Sequence, residues 1–169
     1  MKKDNRGFSL VELIIVLAIM AALTGATFIG IGMISGKPAE ECASKIFSNI
    51  QANRTTAMGK YSASVSFYRG TDGIYVVEEV NGTQGTPVKI GDAGVNVQYR
   101  VTGDGADAWR NLGSSSDALV ISYNRSTGAF KDLEAMGLDD KYCLEIKCSK
   151  ANKTKIIILY HLTGKISMD

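Results

Sequence analysis

Apolar residues follow three successive regimes along this chain. From Phe8 to Ile34 the sequence FSLVELIIVLAIMAALTGATFIGIGMI is apolar almost without interruption, and Glu12 is its only ionisable side chain. As an α-helix it extends about 40 Å, enough to cross a hydrocarbon layer of roughly 30 Å. After Ser35-Gly36-Lys37-Pro38, a predicted hinge at the membrane surface, the period becomes helical. Ala39, Cys42, Ala43, Ile46, Phe47, Ile50, Ala57 and Met58 form one stripe, which predicts an amphipathic helix from about 38 to 59 packed on a sheet. Pro38 suits its first turn, Glu40 and Glu41 its positive end, and Gly59 its close.

Beyond the stripe the period falls to two. Tyr61, Ala63, Val65 and Phe67 alternate with Ser62, Ser64, Ser66 and Tyr68, Gly70-Thr71-Asp72-Gly73 forms a turn, and Ile74 to Val80 reads as the hairpin partner. Further strands are expected at 87–90, 95–102, 118–123, 142–148 and 155–161, with a turn at Thr163-Gly164 into a short return strand. The predicted class is α+β: a long hydrophobic α-helix continuing into an amphipathic helix packed on an antiparallel β-sheet head.

Composition changes the picture little, but charge placement matters. Of 169 residues with net charge +2, the segment to Pro38 carries Lys2, Lys3, Arg6 and Lys37 against Asp4 and Glu12, so the whole excess lies there and the remainder is balanced. A neutral head argues against a general nucleic-acid surface, which needs a basic face. Lys141, Lys147, Lys150, Lys153 and Lys155 are its clearest local basic cluster, diluted by Asp139, Asp140 and Glu145. Solvated surface is the preferred reading of these lysines, with DNA as the lesser alternative.

The N-terminal run has three readings. A cleaved secretory signal normally has only about 7–15 apolar residues before small residues at the cut, and this run is longer. A permanent anchor with its basic leader in the cytoplasm explains everything except Glu12, because a carboxylate in lipid is costly and usually functional. The third reading takes the pattern whole: a short basic leader, Gly7, then Phe8-Ser9-Leu10-Val11-Glu12 and a long apolar helix. It resembles the class III signal of type IV pilins and the related pseudopilins.

That resemblance implies a leader of residues 1–7, a filament-core and transmembrane helix over 8–37, and a globular head over 38–169. It implies cleavage between Gly7 and Phe8 by a membrane prepilin peptidase that also N-methylates Phe8. Glycine beside a bulky aromatic eases protease approach to the backbone. The new amine of an incoming subunit would meet Glu12 of one already assembled. The implied partners are other pilin subunits, an inner-membrane assembly platform with its ATPase, and membrane lipid before assembly, leading to an extracellular pilus or an envelope pseudopilus. The pilin family often has a mid-helix proline; here Gly25, Gly30 and Gly32 stand as possible substitutes. Helix-to-strand order and the final hairpin distantly resemble H-type minor pseudopilins of type II secretion systems.

Within the head nothing points to catalysis, a metal or another cofactor. The single histidine, His161, is expected in a strand, and no nucleotide-binding fingerprint occurs. Asp104, Asp107 and Asp117 surround Trp109 in a polar loop, read as solvated rather than calcium-binding. Cys143 and Cys148 have two readings. If the head lies outside the cytoplasm they can close a short disulfide loop; otherwise they are small hydrophobes pointing to opposite faces of one strand. Cys42 is expected to pack without a covalent partner. Asn81, Asn124 and Asn152 match the short N-x-S/T pattern.

Overall fold

The computed structural model describes residues 10–34, 36–59, 61–102, 108–131 and 143–169. The chain divides into two units, Met1–Ser35 and Gly36–Asp169. In the first, α1 spans Leu10–Ile34 and carries Glu12 in its first turn, where a carboxylate favours the positive helix end. It runs helical through Gly25 and Gly30 to Ile34.

The second unit begins with α2, Lys37–Met58, capped by Gly36 and with Pro38 in its first turn. Gly59 closes it, donating its N–H to the carbonyls of Thr55 and Thr56, both at 3.1 Å. The buried face is Ala39, Cys42, Ala43, Ile46, Ile50, Asn53 and Ala57, with Phe47 partly buried beside it. Met58, expected on the stripe, is instead 54% exposed. The reason is rotational: relative to Ile50, Ala57 is turned by about 20° around the axis and Met58 by about 80°. Asn53 takes a buried position that its polarity concealed.

Among the described residues the remaining strands form two antiparallel sheets of five strands each. In the first, β1 (Ala63–Arg69) pairs with β2 (Gly73–Val80) on one side and with β7 (Leu119–Ser122) on the other. Along its other edge β2 accepts both β3 (Thr83–Gln84) and β4 (Val88–Asp92), with an irregularity between Ile74 and Tyr75. The second sheet runs β10 (Ile166–Met168), β9 (Lys153–Tyr160), β8 (Cys143–Lys150), β5 (Asn96–Thr102), β6 (Arg110–Asn111). The two-residue strands and a 3-10 turn at Ser115–Asp117 are too short to leave a periodic signal.

Strand alternation decides which residues enter the core. Ala63, Val65 and Phe67 on β1 are buried, as are Leu144, Ile146 and Cys148 on β8 and Ile157 and Leu159 on β9. The buried face of α2 lies against strands of both sheets, so one helix covers two inner surfaces. Each fully buried Ile, Leu or Phe contributes roughly 1.5–3 kcal/mol of transfer free energy. Tyr123 is sealed beneath α2: its hydroxyl donates to the Ile50 carbonyl at 3.4 Å and its ring lies 4.6 Å from that of Phe130. Burial pushes the Tyr123 hydroxyl well above the usual tyrosine range.

The Cys143–Cys148 loop considered from sequence does not survive this topology. Both residues belong to β8, paired continuously with β9 from Cys143 to Lys150, and all three cysteines are free thiols. Five steps along a strand cover about 16 Å, far beyond the roughly 4.4–6.8 Å between Cα atoms that a disulfide spans. Cys143 is half-buried and Cys148 fully buried, as odd spacing on a strand requires.

Candidate functional site

The N-terminal helix presents the unusual surface. Leu10, Val11, Leu13, Ile14, Ile15, Val16, Leu17, Ile19, Met20 and Leu23 are all more than half exposed. Their consecutive numbering means that the exposure extends around every face of the helix. A helix that is hydrophobic all round belongs inside other protein or inside lipid. Glu12 is exposed among these side chains, in the first turn of α1. Gly7 and Phe8 lie outside the described residues, as does the leader. Among the described residues no helix is long and apolar enough to cross a membrane; in α1 the described side chains end at Leu23.

Residues 2–28 match the prokaryotic N-terminal methylation motif. The chain carries a class III prepilin signal. No curated protein and no solved structure matches the chain. Such a prepilin signal is the one found in type IV pilins and pseudopilins, where it implies processing by prepilin peptidase and assembly with other pilin subunits; the match covers the N-terminal segment and not the head. It also implies membrane anchoring followed by an extracellular or periplasmic filament. The α+β head with its antiparallel sheets is consistent with a pilin-like fold.

On the head, the outward face of the second sheet assembles a charged aromatic cluster. Arg100 and Glu145 are register partners on β5 and β8, and Arg100 Nε donates to Glu145 Oε2 at 2.8 Å. The Trp109 ring has Arg100 Cζ at 4.4 Å and Lys147 Nζ at 4.2 Å from its centroid, both within cation–π range. The sequence singled out Trp109 and Lys147 and offered Glu145 only as a diluting acid; nothing in it joined Arg100 to Glu145. The last two are 45 residues apart, and only strand pairing joins them.

The lysine cluster is divided by the same alternation. Lys150 pairs with Lys153, and Lys155 with the inward-facing Cys148, whereas Lys147 pairs with Ile156 on the opposite face. The methylenes of Lys153 pack against Gly36, and Lys141 lies outside the described residues. No single basic face therefore unites the described lysines.

His161 stands in the turn after β9 rather than in the strand, and its carbonyl accepts the Phe130 N–H at 3.4 Å. Asp104 and Asp107 lie outside the described residues, and Asp117 ends the 3-10 turn. Among the described residues no group of three or more His, Cys, Asp or Glu side chains is placed to hold a metal ion. Asn81 and Asn124 serve turns: Asn81 Oδ1 accepts the Ser62 N–H at 3.1 Å, and Asn124 Oδ1 accepts that of Ser126 at 3.0 Å.

Proposed function

We propose that this chain is a non-enzymatic structural subunit of a type IV pilus or related filament. It is cleaved between Gly7 and Phe8, N-methylated at Phe8, held in membrane lipid through its apolar helix, and then polymerised through that helix. The observation that carries the reading is α1 itself: apolar side chains exposed on every face, a lone carboxylate in its first turn, and overlap with the matched residues 2–28. Leu10–Ile34 contains 25 residues, about 37 Å of helix, which exceeds a hydrocarbon core of roughly 30 Å.

Leaving lipid costs α1 about 0.3–0.6 kcal/mol for each central Leu, Ile, Val or Phe, and packing against neighbouring helices offsets that loss. Glu12 then acts as a register mark for the amine of Phe8 on an adjacent subunit. Opposite charges about 4 Å apart attract by about 4 kcal/mol at an effective dielectric near 20. Burying either charge without the other costs more than the pair gains. The carboxylate therefore acts chiefly by penalising misregistered subunits. The assembly platform and its ATPase supply the work of extraction.

Mass spectrometry of sheared surface material tests this reading: the mature chain begins at methylated Phe8. Glu12→Ala inserts normally but loses to wild type in competitive incorporation. A chain that keeps residues 1–7 in normal fibres, or equal incorporation of the variant, overturns it. Abundance in the same material separates a major subunit from a minor pilin or pseudopilin. The Trp109–Arg100–Lys147 cluster favours attention to the minor reading, since an aromatic flanked by cations is a common recognition surface.

A further inference from the structure

Cys42 occupies the buried face of α2, one turn before Ile46, and Cys148 is the last buried residue of β8, between Val97 on β5 and Lys155 on β9. Both are 0% exposed, α2 packs against β8, and the two thiols are close enough to perturb each other's ionisation. Gly91 on β4 makes room for this arrangement, because a Cβ there would stand 2.7 Å from Cys42 Sγ. The two cysteines thus share the part of the core where α2 packs against strands of both sheets. Cys143 is separated from both by its position on the far face of β8.

We infer that Cys42 and Cys148 form a disulfide that staples α2 to β8 when the folding head meets a thiol–disulfide oxidant. Sequence spacing gave no hint of this pair, since every strand of the first sheet lies between the two residues. The geometry stands on the head alone. That an oxidant reaches it rests on the placement outside the cytoplasm proposed above.

The chemistry is thiol–disulfide exchange. The hydrogen bond from Cys148 lowers the Cys42 thiol below the usual range, Lys45 and Arg69 add to this against burial and Asp92, and the same bond with burial raises Cys148. Cys42 can be the first thiolate once α2 opens, although either order of attack gives the same disulfide. It attacks one sulfur of a small or protein disulfide, forming a mixed disulfide and expelling one thiolate. Cys148 then loses its proton to that thiolate or to water and attacks Cys42 Sγ, expelling the second. Two protein thiols are oxidised by two electrons, and one oxidant disulfide becomes two thiols. Because both sulfurs are sealed in the folded head, exchange takes place during folding or a local opening of α2. Cys143, whose thiol is raised by burial and by Glu145, remains a spectator.

The test uses the full-length chain in detergent, reduced and then incubated with oxidised glutathione. A non-reducing digest should contain the Cys42 and Cys148 peptides joined, two hydrogens lighter than their sum, with Cys143 open to alkylation. Cys143→Ser should leave the link unchanged. In denaturant, followed by the single tryptophan, oxidation should shift the unfolding equilibrium about a hundred- to a thousand-fold toward the folded chain. A link to Cys143, or three alkylatable thiols after oxidation, overturns the proposal. Alkylation trapping in the producing cells separates it from the filament reading. A chain that links in detergent but stays reduced in cells upholds the pairing and overturns the placement outside the cytoplasm.

Discussion

Arg100 and Glu145 meet edge to edge across β5 and β8, 2.8 Å apart, with side chains 29% and 15% exposed. Partial burial makes this pair worth more than a surface salt bridge, although solvent still screens it. Glu145→Gln should destabilise the head by about 1–2 kcal/mol. Replacing both partners with apolar residues should recover part of that loss, since no charge is then left half-buried. Denaturant titrations arranged as a double-mutant cycle measure the coupling; a value of zero would show that screening cancels the pair.

Trp109 extends this cluster, with two cations within reach of its ring. Lys147→Met should cost about 0.5–1 kcal/mol, the scale of one exposed cation–π contact. Trp109→Leu should cost more, because both contacts are lost together with ring burial. Thermal melts followed by circular dichroism establish the order. Equal effects would assign the ring a packing role alone.

On the opposite sheet, the Asp72 carboxylate accepts the Tyr75 hydroxyl at 2.7 Å and Lys89 Nζ at 3.1 Å. The Tyr75 hydrogen bond, followed by that from Lys89, holds Asp72 below the usual carboxylate range, and Asp72 raises Tyr75 above the usual tyrosine range. A depressed carboxyl stabilises the folded state above its unfolded value, and that contribution is lost as pH falls through the folded value. A raised tyrosine does the reverse: its contribution is complete below about 10 and is lost as pH rises through the folded value. Tyr75→Phe should therefore move the Asp72 midpoint upward and abolish Tyr75's alkaline contribution. Carboxyl-carbon NMR titration reads the first effect and unfolding above pH ~10 the second.

Gly164 and Gly128 bring two turns together, with φ of +60° and +68°. A Cβ on Gly164 would collide with the Gly128 carbonyl and reach Arg54 Nε at 3.0 Å. Gly164→Ala should cost about 2 kcal/mol or more, combining left-handed backbone strain with overpacking. Gly82 is the control: φ is +78° but nothing lies within 4 Å of its added Cβ. Gly82→Ala should cost about 1 kcal/mol, from the backbone alone. Denaturation midpoints compare the two, and equal losses would remove the contact between turns from the argument.

Several elements were readable before any coordinates because they depend on covalent geometry close to each residue. The lone carboxylate in an apolar run, the stripe from Ala39 to Ala57, the alternation through Ala63, Val65 and Phe67, and the turn at Gly164 all repeat on periods of 3.6 or 2 or require one special backbone angle. The prepilin signal is likewise contiguous and carries its chemistry in order. Tertiary structure alone decided that the strands divide into two sheets, that Asn53 is buried while Met58 is exposed, and that Arg100 finds Glu145 beside Trp109. It also buried Cys42 and Cys148 in one core and left Cys143 on the other face of its strand. These relationships join residues brought together by strand register and helix docking across long loops, and no local period encodes which distant partner closes a given gap in the core.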